Sequence, residues 1–479
     1  MRYLYPLFAF SILLLTPSVN AQTAEGLQAG TAAVDISPTV KPFQLRSGKS
    51  DYVHDPLHVR AVAFQNGEGR AVIALMDAIG VGREMTDEAK AIAAEKTGWS
   101  PEQMLVSGTH THTAPKGGDS SPGRIAYEKT RKEGLAKALI EAIESIEPAQ
   151  VAFASDEEPT EVFNRRWYKE KGTMPKNPLG GYDKVKMNPG LNDLVKPAGP
   201  TDPEVAIINV QTRKGKPLGL IANYALHYVG GVPRVIDENG REIGMASADY
   251  FGEFARIMPA RLRASGSENF VAMMTNGASG DINNIDFYRN RPPRAPFEQI
   301  RVVAGKTADA SYRAVGKIRK YDTSPVVAMK QRLVSIRYRK PPQEDIDRAI
   351  ELMKLSSKER NEINSRTSSV AQNTLRFSEP EMTETEEVII QAVRIGDQAI
   401  VTMPFEVLVE IGLEIKEKSP FPHTMLIELA NGGYGYLPPP HQHELGGYET
   451  WLGTSRFEKD TSVILTKHLL EMLAELKEQ

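Results

Sequence analysis

From Gly30 to Ser107 the chain alternates short β-rich runs with turns and one helical stretch, a rhythm that confines it to layered α/β architectures. The runs Val59–Phe64 and Ala71–Asp77 are separated by Gln65-Asn66-Gly67-Glu68-Gly69-Arg70, which has hairpin-turn chemistry. Residues 84–97 carry helical periodicity, and Met104-Leu105-Val106-Ser107 reads as the next strand. Further on, the pattern predicts helices at 125–146, 250–262, 297–317, 343–376 and 461–477. Strands are predicted at 151–153, 161–163, 205–210, 218–224, 270–274, 325–339, 384–403 and 426–429. Residues 168–200, rich in Lys, Gly, Pro and Asn, read as a long surface loop. The expected fold class is α/β, with mixed β-sheets layered with helices in a single large domain over 22–479.

Composition supports this and narrows the partners. A chain of 479 residues, 41% of them hydrophobic, has ample material for a core. The 58 basic residues nearly balance 61 acidic ones, so bulk charge attracts neither nucleic acid nor an anionic membrane. Met1-Arg2-Tyr3, the apolar run Leu4–Leu15 and the small-residue end at Ala21 have the form of a secretory signal over 1–21. That run is shorter than the ~20 residues that span a bilayer, so the expectation is a secreted or periplasmic protein without stable membrane insertion. Cysteine is absent, which leaves His, Asp, Glu and Tyr as the only candidate ligands for a metal.

Chemistry concentrates first at Ser107-Gly108-Thr109-His110-Thr111-His112-Thr113-Ala114-Pro115, which holds two of only nine histidines. In an extended segment residues i and i+2 share a face, so both imidazoles are expected to point to one place. There they serve either as two metal ligands or as one ligand and one acid/base group. His227 also follows an apolar strand and precedes Gly230-Gly231, where backbone can approach a ligand closely. Glu406 is expected in the first turn of a helix, where it would either supply a carboxylate oxygen or complement the helix dipole. Tyr434, Tyr436 and Tyr448 sit in a Gly-rich loop that is equally compatible with a hydrophobic lid. Spacing by itself does not join these positions.

Several stretches, in order, resemble the catalytic domain of the neutral (non-lysosomal, neutral/alkaline) ceramidases. They are Gly30…Asp35-Ile36-Ser37, the His-Thr-His motif with its proline, Asn164-Arg165, Thr201-Asp202-Pro203-Glu204, Asn223 to His227, Ser247-Ala248-Asp249, Asn276 to Asn284, Pro404-Phe405-Glu406 and Asn431 to Tyr448. The resemblance implies a zinc-dependent amidohydrolase acting on a small-molecule or lipid substrate, an N-acyl compound like ceramide, by attack of a metal-activated water. It implies Zn2+ held by His110, His227, Glu406 and Tyr436, with Tyr434 as the competing choice for the last. His112 then matches the acid/base histidine, and Arg165 and Tyr448 match groups that hold the substrate and its developing oxyanion.

Three departures bear on the substrate. Gly280-Asp281-Ile282-Asn283-Asn284 has asparagine where the family's hexapeptide has serine, so a serine nucleophile is excluded there. The loop Leu437–Glu444 replaces the family's Thr-Thr-x-Glu-Glu-Tyr type of sequence, and the resemblance stops before the immunoglobulin-like domain of the longer ceramidases. A zinc hydrolase acting on another exported substrate, an ester or a glycan-derived amide, and a non-catalytic binding protein with a vestigial site are the competing expectations. Lys169, Lys171, Lys176, Lys184, Lys186 and Lys196 in the 168–200 segment favour an anionic or sugar-like ligand.

Overall fold

The computed structural model describes residues 26–237, 239–267 and 269–479; the expected signal at 1–21 lies outside them. Eight strands make the larger sheet: β1 (Gln28–Asp35), β2 (His58–Asn66), β3 (Gly69–Met76), β4 (Met104–Gly108), β5 (Glu147–Glu157), β6 (Glu204–Thr212), β7 (Pro217–Tyr224) and β8 (Val271–Asn276). Their spatial order is β8-β7-β6-β5-β1-β2-β3-β4. The centre is antiparallel, while the outermost pairs β3/β4 and β7/β8 are parallel. Each half repeats one plan. An antiparallel pair, β2/β3 or β6/β7, is followed by a helix and then by a parallel edge strand. The helices are α1 (Arg83–Thr97) and α2 (Pro122–Glu144) in the first half, α3 (Asp249–Arg261) and α4 (Glu298–Lys317) in the second.

These helices cover one face of the sheet. Along β2, Val59, Ala61 and Ala63 face α1 and α2, whereas Val62 and Phe64 point to the opposite side. That opposite side is covered by a second sheet of β9 (Val327–Arg337), β10 (Thr385–Ile395), β11 (Gln398–Thr402) and β12 (His423–Ile427). Ile73, Leu75, Ile208 and Ile221 meet Val393, Ile400, Met425 and Ile427 between the sheets. Burial on both faces explains why these strands are continuous apolar runs instead of alternating ones.

Three short helices follow β9: α5 (Gln343–Lys354), α6 (Ser357–Ile363) and α7 (Thr367–Ser378). Two more, α8 (Val409–Lys418) and α9 (Thr461–Lys477), close the outer face of the second sheet with Ile411, Ile415, Leu465, Leu469 and Met472. The molecule is thus four layers, helix–sheet–sheet–helix, as the α/β reading predicts. Among the described residues no helix is long and apolar enough to cross a membrane.

Two local expectations are corrected. Residues 168–200 are not a structureless loop: Arg166–Lys169 is the centre of a three-stranded antiparallel sheet flanked by Val185–Met187 and Leu194–Pro197. Strands of three and four residues punctuated by Lys and Pro leave no periodic signature, and their cohesion comes from ladder hydrogen bonds and from the buried Trp167 and Val185. This lobe is tied to the α5–α7 lobe by Arg348 Nε donating to the Leu179 carbonyl at 2.8 Å and Asn364 Nδ2 to that of Lys176 at 3.0 Å. Second, Glu406 does not open a helix. It begins a two-residue strand, Glu406–Val407, paired in parallel with Tyr436–Leu437, and α8 starts only at Val409.

Gly30 shows how tightly helix and sheet are fitted. A Cβ there would lie 2.2 Å from the Ala142 carbonyl oxygen and 2.7 Å from the Ile146 nitrogen, at the end of α2. Gly30→Ala is therefore expected to push α2 off the sheet and to cost about 1–3 kcal/mol, seen as a lowered urea midpoint at an unchanged slope.

Candidate active site

The site lies where the strands of the parallel pairs end, which is where an open α/β sheet leaves a crevice. β4 leads to His110 and His112, β7 to His227, β8 to Asn276–Asp281, β11 to Glu406, and β12 to Tyr436.

His110 and His112 reach their common target by a route other than the expected one. β4 stops at Gly108, and His110 adopts a left-handed backbone, φ 68°. That conformation costs a non-glycine residue of order 1–2 kcal/mol. It is held by the His110 N–H donating to the Ala78 carbonyl at 2.8 Å and by the ring Nδ1 at 2.7 Å from the Ile79 carbonyl. A carbonyl only accepts, so Nδ1 carries the proton and Nε2 presents its lone pair. The His110 and His112 rings meet edge to face with centroids 4.9 Å apart, and His227 sits 4.4 Å from His110 and 4.9 Å from His112. A turn, not strand alternation, brings the pair together.

Thr111 and Thr113, the neighbours of His112, are clamped from below. Their hydroxyls lie 2.6 and 3.0 Å from the two carboxylate oxygens of Asp249, which itself has a left-handed φ of 52° at the start of α3. Burial raises the Asp249 carboxyl to about 7, against the opposing pull of the Thr111 and Thr113 hydrogen bonds.

One nitrogen from each of the three histidines lies within 4.8 Å of the others, a spacing that suits a shared metal ion. His112 Nε2 is 2.9 Å from His227 Nε2. Glu406 Oε2 lies 3.4 Å from His110 Nε2 and 3.8 Å from a His227 ring nitrogen. Tyr436 hydrogen-bonds to Glu406 and faces the Arg165 guanidinium. Tyr434 points elsewhere, packed against Phe405 and Phe457. Tyr448 stacks edge-on to Tyr436 at 5.5 Å. Five segments far apart in the sequence therefore bring His110, His112, Arg165, His227, Glu406, Tyr436 and Tyr448 to one place.

Arg165 is buried, and its Nε donates at 2.9 Å to Glu449, a carboxylate with no solvent exposure that also accepts from Arg166 at 2.7 Å. Its Nη1 donates to His227 Nδ1 at 3.1 Å. Asp281 accepts from the Val409 N–H and from Asn164, both at 2.8 Å, and so fixes the start of α8 beside Glu406. Asn283, which stands where the resemblance has serine, turns away to donate to Asn188 at 2.7 Å.

Electrostatics separate the groups. Burial lowers His110, but Glu406 outweighs it and the imidazole ends above its ordinary value. Burial raises Glu406, and the same partner, His110, brings it below the usual carboxylate range. His112 is pulled down to about 3 by burial, with His110 and Arg46 adding to the effect. His227 is lowered by burial and then by Arg165. Burial, reinforced by Glu406, pushes the Tyr436 phenol well up. Buried atoms at the site without a hydrogen-bond partner among the described residues include His110 Nε2, Glu406 Oε2 and Arg165 Nη2, with Ser107 Oγ and Asn276 Oδ1 beside them.

Sequence reasoning missed Arg46, 3.3 Å from His112 Nδ1, as well as the supports Asp249 and Glu449. Asp249 belonged to a motif of the resemblance, but nothing in its spacing tied it to His112.

No protein-family model matches the chain, and no curated protein matches it. Its structure resembles the crystal structure of neutral ceramidase from Pseudomonas aeruginosa, with a TM-score of 0.68 at 17% identity, over 95% of this chain and 75% of that one. It is equally similar, at TM-score 0.68 and 15% identity, to a ceramidase complexed with C2, over 95% of this chain and 76% of that one. The fold is thus that of the ceramidase catalytic domain, in agreement with the sequence motifs.

Removing the Asp249 carboxylate tests the support beneath the histidines. Asp249→Ala is expected to destabilise the protein by about 1–3 kcal/mol, and Asp249→Asn by less because one acceptor remains, as read by equilibrium denaturation.

Proposed function

We propose that the protein is a zinc-dependent amidohydrolase that cleaves an N-acyl, ceramide-like substrate by attack of water. The observation that carries this reading is the facing pair of unpartnered atoms, His110 Nε2 and Glu406 Oε2, buried 3.4 Å apart beside His227. Burying a lone pair and a carboxylate oxygen without partners costs several kcal/mol between them, a penalty that a divalent cation between them removes. The donor set, two imidazoles, a carboxylate and the phenol of Tyr436, fits zinc, and the Nδ1 bond from His110 to the Ile79 carbonyl is the outer support such a ligand needs. Zinc bound there would supply Lewis acidity, lowering the pKa of water toward ~7 and polarising the scissile carbonyl.

The remaining chemistry falls to this chain's own residues. His112 lies with its Nε2 2.9 Å from His227 and its Nδ1 3.3 Å from Arg46, and the role assigned to it, proton carrier beside the metal, is the one the motif resemblance implies. In this role it accepts a proton from the attacking water and returns it to the departing amine. Arg165 offers the unpartnered Nη2, and Tyr448 its hydroxyl, to the negative oxygen of the tetrahedral intermediate. Glu449 holds the guanidinium in that orientation. With Asn283 turned toward Asn188, no side-chain nucleophile is needed from that segment.

Two variants separate the roles. His110→Ala is expected to be purified without zinc, whereas His112→Ala keeps the metal and loses about 10²–10⁴-fold in kcat. Elemental analysis beside amide hydrolysis reads both, and equal loss of zinc in the two variants contradicts the assignment. Removal of the metal by a chelator is expected to abolish hydrolysis, and added zinc to restore it.

A further inference from the structure

A cavity of about 360 Å³ opens onto His112 and is lined by Arg46 and Arg234. Arg46 comes from the turn between the short strands Phe43–Leu45 and Gly48–Ser50, and Arg234 from the segment that follows His227. The Ser47 hydroxyl belongs to the same wall, and Leu45, Val232 and Met245 supply its apolar part. No carboxylate is among the described residues that line it. Arg46 has its Nη1 3.3 Å from His112 Nδ1 and forms no ion pair among the described residues. Among the described residues Arg234 has one acidic neighbour, Glu242 at 3.7 Å, in a pair whose side chains are 59% and 64% exposed. Such a pair is worth little and leaves the guanidinium available.

The place of this cavity decides what enters it. On the amidohydrolase reading, the carbonyl oxygen turns toward Arg165 and Tyr448, and the nitrogen toward His112, which must protonate it. The half of the substrate attached to that nitrogen is then directed past His112 into the cavity. Two guanidinium groups, each a fork of N–H donors with no acceptor, form a surface that a neutral alcohol does not need and an anion satisfies.

We propose that the amine half of the substrate carries an anionic group a few bonds from the scissile nitrogen, bound by Arg46 and Arg234, so that the substrates are N-acyl amino acids or N-acyl aminosulfonates. This rests on the amidohydrolase reading for the direction in which the substrate lies.

The test uses the full-length protein with its metal. The ligand is the ketone analogue of N-lauroylglycine, in which a methylene replaces the amide N–H so that nothing is cleaved, beside its uncharged primary amide. Calorimetry is expected to find the acid bound about ten-fold or more tightly at low salt, with the gap narrowing as ionic strength rises. Arg46→Gln and Arg234→Gln are each expected to erase most of that gap. Equal binding of acid and amide overturns the proposal, as does a preference that survives the double variant, since the carboxylate would then sit on the metal. Hydrolysis is scored separately on N-lauroylglycine, N-lauroyltaurine and a short-chain ceramide. Preference for the acid without cleavage of any amide refutes the amidohydrolase reading and leaves the anion subsite standing. Cleavage with ceramide preferred refutes the subsite and leaves the hydrolase.

Discussion

The site depends on a clasp between the two sheets. β4, the outer strand of the large sheet, is joined to the segment after β12 by backbone hydrogen bonds from Gly108 to Leu429 at 3.3 Å and from Asn431 to Val106 at 2.8 Å. Asn431, fully buried with a left-handed φ of 57°, also accepts from Lys90 of α1 and donates to Gln391 of β10. Burial lowers the Lys90 ammonium to about 7, so this bond is made at a desolvation cost that the rest of the fold must cover. The clasp, together with the packed core between the sheets, sets the separation of the histidines carried by the first sheet from the Glu406–Tyr436 pair carried by the second.

Around that junction several buried carboxylates are answered by more than one partner. Glu449 serves two arginines, Asp281 caps α8 and holds Asn164, and Asp249 gathers two threonines. Glu428, raised to about 8 by burial, accepts from Ser279, from Asn276 at 2.9 Å and from the Val407 N–H at 2.7 Å, directly beneath the Glu406 strand. Against this background His110 Nε2, Glu406 Oε2 and Arg165 Nη2 are without hydrogen-bond partners among the described residues, as are Ser107 Oγ and Asn276 Oδ1.

Arg46 adds asymmetry to the same space. One side of His112 meets the buried His227, and the other meets an exposed guanidinium at the mouth of a cavity free of carboxylates among its described lining residues. Arg46, Ser47, Val232, Arg234 and Met245 of this wall come from loops that lie outside the motifs of the resemblance.

Much of this was legible in the sequence. Doubly buried strands are written as apolar runs and helices as periodic ones, because burial against a neighbouring layer acts residue by residue; this determined the α/β class and the helices at 84–97, 297–317 and 461–477. Motif resemblance also named the seven residues that lie together here, and it left Tyr434 open beside Tyr436 until packing placed Tyr434 against Phe405 and Phe457. Short-range signals failed where long-range pairing takes over. The 168–200 lobe owes its strands to ladder bonds, and Glu406 is extended because Tyr436 pairs with it. Only the tertiary structure decided that His110 turns left-handed, that Arg46 stands beside His112, and that Asp249 holds Thr111 and Thr113 while Glu449 holds Arg165. Those contacts join residues 66 to 284 positions apart, and no local propensity encodes a distance of that kind.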